Sequence, residues 1–251
     1  MKIFNNKKVL LVLLIIFFIT FVLSSIKIIL YMTDNGEVIN IVEHTNEHIK
    51  VEDDKVNIFV DFDALSKENK DTVAYLKVNN TNIDYIVVKG KNNSYYLTHN
   101  FKKKWSNAGW VFADYRNNFD DNDKNIIVYG HNMRSGSMFG TLKNVLKKEW
   151  YLDDDNRKIT FVTKSGTYYY DIFSIYTIKS EEYYITTDFS DINFLEFVNK
   201  IKSRSIYDFN VDVDESDNIL TLSTCTTGGK KRVVVHAKRI ENWFVSFLFL
   251  C

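Results

Sequence analysis

The sequence predicts a mainly β fold, an eight-stranded barrel, closed or nearly so, with short helical inserts, set behind an N-terminal transmembrane helix. Three observations carry this prediction. About eight short segments rich in β-branched and aromatic residues alternate with turn clusters, and that many strands in one unit need closure to remove exposed edges. The 15 tyrosines and 19 phenylalanines favour strands and packed aromatic surfaces. One unbroken apolar run near the N-terminus stands apart from this pattern.

That run extends from Val9 to Leu23, continues through Ser24, Ser25 and Ile26 to Lys27, and is prolonged by Ile28, Ile29, Leu30 and Tyr31. At roughly 1.5 Å per residue it is long enough to cross a bilayer. Lys2, Lys7 and Lys8 precede it, which places the N-terminus inside and the remainder outside. The expectation is a cytoplasmic N-terminus over 1–8 and a transmembrane signal-anchor over 9–31. A cleaved signal peptide is the competing reading. The length of the run and the lack of a convincing small-x-small cleavage site argue against it.

Residues 32–57 are polar and charged and read as a stalk or N-terminal helix. His44 and His48 lie four apart there, a spacing that can place two imidazoles on one helix face for a metal. The neighbouring sequence shows no third ligand, so the reading is a solvated helix face, with no metal and no cofactor expected.

Residues 58–240 form the one expected globular domain. A short helix is predicted over 64–69, strands over 72–78 and 83–89 across a turn at 79–82, and a loop entering a short helix over 91–97. Strands follow at 110–113 and 125–129. A helix of about ten residues is predicted from Met138, with Ser137 as its N-cap. Strands at 158–162 and 167–173, the latter able to run on to 178, pair across 164–166. Residues 191–201 repeat their apolar side chains at helical spacing, and strands at 218–225 and 232–239 complete the domain. An apolar tail, 241–251, is too short to span a bilayer as a helix; it is left to pack on the barrel or touch the membrane.

Charge is balanced, with 32 acidic and 32 basic residues, so no nucleic-acid partner is expected, which would show a basic excess. The two cysteines, Cys225 and Cys251, make no disulfide framework. Cys225 ends a strand where a loop begins, fixed in position yet reachable, which suits a nucleophile; the alternative is a small buried hydrophobe. A thiol needs a base or charge partner to react as thiolate. Of five histidines, His131 alone stands directly after a strand end, between Gly130 and Asn132. A short loop returning from Cys225 to an antiparallel strand would bring Arg232 beside the thiol, where a guanidinium could hold a developing oxyanion.

With these three positions identified, the sequence resembles a sortase, specifically of class B. Thr221-Leu222-Ser223-Thr224-Cys225 matches the family's cysteine motif, and Tyr129-Gly130-His131-Asn132-Met133 its histidine motif. Arg232, followed by Val233, Val234, Val235 and His236, matches the arginine that opens the final strand. Thr81 to Tyr85, Asn93 to Phe101 and Phe112 to Asn117 add agreement, so the similarity covers roughly residues 58 to 240.

The resemblance implies the sortase barrel and a transpeptidase in which Cys225 attacks a threonine carbonyl of a C-terminal sorting signal. His131 serves as general acid and base, and Arg232 steadies the oxyanion. By motif position Asn93, Leu97, Ser180, Tyr184, Ile185 and Ser223 are implied to bind substrate, with the insert that carries Ser180, Tyr184, Ile185 and the helix at 191–201 forming one groove wall. The implied partners are sorting-signal-bearing surface proteins, the amine of peptidoglycan or its lipid-linked precursor, and the cell membrane through the N-terminal helix. The implied location is the membrane of a Gram-positive bacterium, single-pass, with the catalytic domain on the extracellular face. Sorting signals of the Asn-Pro-x-Thr and Ser/Pro-Pro-x-Thr-Gly kinds are both compatible. Ile86 stands where relatives usually carry proline, and Thr227 where some carry an acidic residue, so no carboxylate is assigned to the site. A class C-like pilin-polymerising enzyme is the alternative, disfavoured by the short tail and lack of an obvious lid. A catalytically idle surface peptide-binding barrel is disfavoured by the intact trio.

Overall fold

The computed structural model describes residues 7–52, 57–119, 123–226 and 229–240. The expectations placed on residues 1–6, on Thr227 and Gly228, and on the tail 241–251 with Cys251 lie outside these described residues.

Eight strands close into a barrel: β3 (Thr72–Val78), β4 (Asp84–Val88), β5 (Phe112–Ala113), β6 (Asn125–Tyr129), β7 (Lys158–Thr163), β8 (Gly166–Lys179), β9 (Ile219–Cys225) and β10 (Lys231–Ile240). Around the barrel the order is β10-β8-β7-β3-β4-β5-β6-β9. Two adjacent pairs, β4 with β5 and β6 with β9, run parallel; the others are antiparallel. The predicted barrel is therefore the observed one.

The apolar run belongs to α1 (Lys7–Asn46), a helix about 60 Å long at the usual rise. Its large apolar side chains from Leu10 to Met32 are exposed, whereas Val38, Ile41 and Thr45 at the far end are buried. The apolar portion is long enough to cross a membrane and is consistent with an anchor or a signal. In the segment read as a stalk or N-terminal helix, α1 continues to Asn46, and β1 (Ile49–Glu52) then pairs antiparallel with β2 (Asn57–Val60). α2 (Phe62–Glu68) follows, capped by the Asp61 side chain, which accepts from the Ala64 N–H at 2.9 Å.

The third group missing from the sequence reading of His44 and His48 comes from α2. Glu68 accepts from His44 Nε2 at 2.9 Å and lies 3.7 Å from His48 Nε2.

The helix expected from Met138 is a correction. Met138 has φ 52°, and its N–H donates to the Tyr85 hydroxyl at 2.8 Å, which holds the chain out of helical geometry. Ser137 caps no helix; its hydroxyl pairs with that of Ser135. The segment instead makes a 3-10 turn, Leu142–Leu146, and then the single turn of α3 (Lys148–Tyr151). The helix predicted over 191–201 is present as α4 (Phe194–Ser203), capped by Asn193.

The side chains of β9 and β10 divide by parity between two apolar clusters. Leu220, Leu222, Val233, Val235 and Ala237 join the barrel interior. Ile219 and Val234 join a second cluster with Phe173, Tyr184, Phe197 and Ile201 under α4. His236 lies on this second face, fully buried, and is held from both sides. Thr221 donates its hydroxyl proton to Asn125 Oδ1 at 2.7 Å, so it accepts from His236 Nδ1–H at 2.8 Å. Nε2 is then the acceptor for the Tyr176 hydroxyl at 2.9 Å.

Burial, with the positive charge of Arg204 as a second cause, pushes the His236 pKa down to about 3. The imidazole is neutral in the fold and must gain a proton as the chain unfolds in acid. Its contribution to stability is therefore complete above the ordinary histidine value of about 6.5 and is lost as pH falls from there toward 3. The expected slope is about 1.4 kcal/mol per pH unit within that window. Denaturant titrations of the wild type and of His236→Gln across pH 7 to 4 check it: the slope contribution should be absent from the variant.

Candidate active site

Parallel neighbours end at the same rim of a sheet. β6 and β9 are such a pair, with Tyr129 opposite Ser223, so the histidine that follows one strand and the cysteine that ends the other arrive together. Two bonds lock the junction: the Gly130 N–H donates to the Ser223 carbonyl at 3.4 Å, and the Thr224 hydroxyl to the Gly130 carbonyl at 2.7 Å. Gly130 is required there, because a Cβ would lie 2.7 Å from the Phe139 ring.

β10 returns antiparallel along the other side of β9 and sets Arg232 directly opposite Cys225. Side chains of such a pair leave the sheet on the same face. This is the face on which Ser223 and His236 also lie, covered by the β8–β9 connection. The short loop is closed by the Thr226 N–H on the Lys231 carbonyl, 2.8 Å. Arg232 Nη1 donates to the carbonyls of Gly229 and Lys231 at 3.2 and 3.3 Å. Cys225 is a free thiol, partly exposed.

These residues line one cleft of about 480 Å³. Its walls include Cys225, His131 and Arg232 and all of the expected substrate positions: Asn93, Leu97, Ser180, Tyr184, Ile185 and Ser223. A second hollow, about 250 Å³, adjoins it through Cys225 and His131 and is lined also by Asn107, Asn132, Met133 and Arg134. His131 Nε2 bonds the Leu97 carbonyl at 2.8 Å. A carbonyl only accepts, so Nε2 carries the proton and Nδ1 is left for exchange. The Tyr184 hydroxyl meets that of Ser223 at 3.1 Å.

The sequence reading assigns no carboxylate to the site; the fold places one behind it. Asp114, fully buried, sits behind the wall as a hub. It receives both Arg116 Nε and Nη2 at 2.8 Å, the Tyr129 hydroxyl at 2.8 Å and Asn93 Nδ2 at 2.8 Å. Burial alone would raise its pKa; the hydrogen bonds from Arg116 and Tyr129 outweigh that and hold it below the ordinary carboxylate range. Arg116 also donates to the Ile185 carbonyl at 2.9 Å, tying the opposite wall to the same charge. Two residues apart in sequence, Asp114 and Arg116 gave a signal that could have been used: an acid beside a base just past a buried strand. Glu181 and Glu182 line the cleft directly, Glu181 paired with Arg204 at 2.6 Å.

A thiol at a strand end, an imidazole with one free nitrogen and a guanidinium on the adjacent strand are the equipment of thiol-based acyl transfer. The closed barrel with its outer cleft thus defines a class, the cysteine acyl-transfer enzymes.

Comparison with known proteins narrows the class. The sortase domain model matches residues 76–240. The sortase B of Listeria monocytogenes is 41% identical over 184 residues, covering 71% of this chain and 73% of its own. A sortase B from Bacillus anthracis superposes with TM-score 0.73 at 34% identity, over 84% of this chain and 100% of that one. A sortase B complexed with triglycine superposes with TM-score 0.67 at 36% identity, over 72% of this chain and 85% of that one. The chain belongs to the sortase B family and is a cysteine transpeptidase.

Proposed function

We propose that the enzyme cleaves a C-terminal sorting signal after threonine and transfers the protein to a cell-wall amine. Cys225 passes its thiol proton to Nδ1 of His131, and its sulfur attacks the threonine carbonyl, forming a C–S bond. Arg232 stabilises the negative charge on the oxygen as the tetrahedral species forms. The C–N bond then breaks, and His131 delivers a proton to the departing amine. In the second half an amine of peptidoglycan or of its lipid-linked precursor gives a proton to His131 and attacks the thioester. A new C–N bond forms, the C–S bond breaks, and His131 returns the proton to sulfur, restoring the thiol. Asn93, Leu97, Ser180, Tyr184, Ile185 and Ser223 hold the signal in the cleft.

The observation that carries this reading is the pairing of Cys225 with Arg232 at the mouth of a cleft that His131 also lines. The relative complexed with triglycine supports a glycine-type amine as acceptor. A surface location is supported from a different direction. The Asn107 N–H donates to Asp34 Oδ2 at 2.8 Å, and Lys104 meets Glu37 at 3.7 Å. Asp34 follows the apolar run by three residues, and Asn107 lines the hollow shared by His131 and Cys225. With α1 as an uncleaved single-pass anchor, the cleft opens close to the outer face of a Gram-positive membrane, within reach of membrane-bound cargo and lipid-linked acceptor.

Incubating the enzyme with a small library of sorting-signal peptides, with and without triglycine, tests the scheme by mass spectrometry. An acyl adduct on Cys225, ending in threonine and discharged by triglycine, is the expected result. Product formation with no adduct on Cys225 would overturn it.

A further inference from the structure

We propose that His44, His48 and Glu68 form a binding site for a divalent transition-metal ion of the Zn²⁺ type, which ties the C-terminal end of α1 to α2. One ligand atom from each residue lies within 4.8 Å of the others. Both imidazoles turn Nε2 toward the same carboxylate: His44 Nε2 is 2.9 and 3.1 Å from the two Glu68 oxygens, and His48 Nε2 is 3.7 Å from Oε1. Donor atoms around a tetrahedral ion with bonds of about 2.0–2.1 Å lie roughly 3.3 Å apart. The observed separations bracket that value, so small side-chain rotations would admit an ion.

The backbone under each ligand is fixed. His44 lies between the buried Ile41 and Thr45 of α1. The His48 N–H bonds the Thr45 carbonyl at 3.3 Å, and its carbonyl accepts from the Asp61 N–H at 3.0 Å. Glu68 precedes Asn69, whose buried side chain bonds the Phe101 carbonyl at 2.8 Å.

Two further features fit a metal. Glu47 Oε2 stands 3.7 Å from Nδ1 of His44, the place where metal-bound histidines keep a carboxylate that orients the ring. The three side chains are 39%, 25% and 33% exposed, leaving one side of the site open to water ligands. Two nitrogens and one oxygen favour Zn²⁺ and its neighbours over Ca²⁺ or Mg²⁺, which take oxygen ligands. The ion lies at the junction of the membrane-directed helix with the catalytic domain, so its role is to stiffen that joint. The proposal does not rest on the transpeptidase scheme.

The test uses the full chain in detergent, stripped of metal and carrying Cys225→Ala so that this thiol is not a ligand. Zn²⁺ affinity is read by competition with a chromophoric chelator, and thermal melting is followed with and without Zn²⁺. Loss of the Glu47 carboxylate in Glu47→Gln should weaken binding by roughly 10–100-fold. His44→Gln and Glu68→Gln should weaken it at least as much, and the rise in melting temperature that Zn²⁺ gives the parent should vanish in both. All of these groups are partly exposed, so the variants keep the fold. Zn²⁺ affinity that is absent in the parent, or unchanged in Glu68→Gln, would overturn the site and leave a hydrogen-bonded His–Glu cluster.

Discussion

Cys225→Ala should abolish turnover of a sorting-signal peptide, by on the order of 10⁴-fold or more, as loss of a covalent nucleophile does in other acyl-transfer enzymes. The proposed scheme has no second group able to form the acyl intermediate. Oxyanion stabilisation and binding would remain, yet without the C–S bond the imidazole has no thioester to resolve. The fold should be spared. Cys225 is partly exposed and belongs to neither apolar cluster, and its backbone pairing with Arg232 does not involve the sulfur. The expected stability change is within about 1 kcal/mol. Peptide cleavage followed by chromatography, beside a thermal melt of the same sample, separates the two effects. Persistent turnover by a folded variant would remove Cys225 from the mechanism.

Much of the barrel was legible because its strands alternate and its turns are marked. The ranges 72–78 and 125–129 coincide with β3 and β6, and 218–225 departs from β9 by one residue. What failed was set by distant partners. Nothing near Met138 announces that its N–H is claimed by Tyr85, fifty-three positions earlier, and local propensity there favoured a helix. The hairpin of β1 and β2 lay hidden in a segment too polar to stand out. For the candidate site, the thiol, imidazole and guanidinium were each visible as strand-end residues, and their convergence depends on β6 and β9 running parallel. No spacing in the sequence encodes that pairing; the family resemblance supplied it. Asp114 went unread because its work lies behind the wall, in orienting Asn93 and Tyr129. Glu68 went unread as a partner of His44 because α2 delivers it from twenty-four residues away.

Arg232→Lys should lower turnover by about 10²–10³-fold, the usual consequence of removing one oxyanion donor. The charge survives the exchange, so a role in general electrostatic attraction predicts almost no effect. A role in geometry predicts a large one. Arg232 Nη1 is already engaged by the Gly229 and Lys231 carbonyls, which fixes the plane of the guanidinium and leaves Nε and Nη2 for the substrate oxygen. Lysine has one nitrogen with which to meet the loop carbonyls and the oxyanion together, and no rigid fork to aim it. The deficit should therefore fall mainly on kcat, since negative charge on the oxygen exists only beyond the ground state. Val233 and Val235 keep β10 anchored in the barrel interior whatever occupies position 232, so the melting temperature should hardly move. Kinetics on a short signal peptide, resolved into kcat and KM, decide between the readings: near-normal kcat in the lysine variant would reduce Arg232 to a clasp for the loop between β9 and β10.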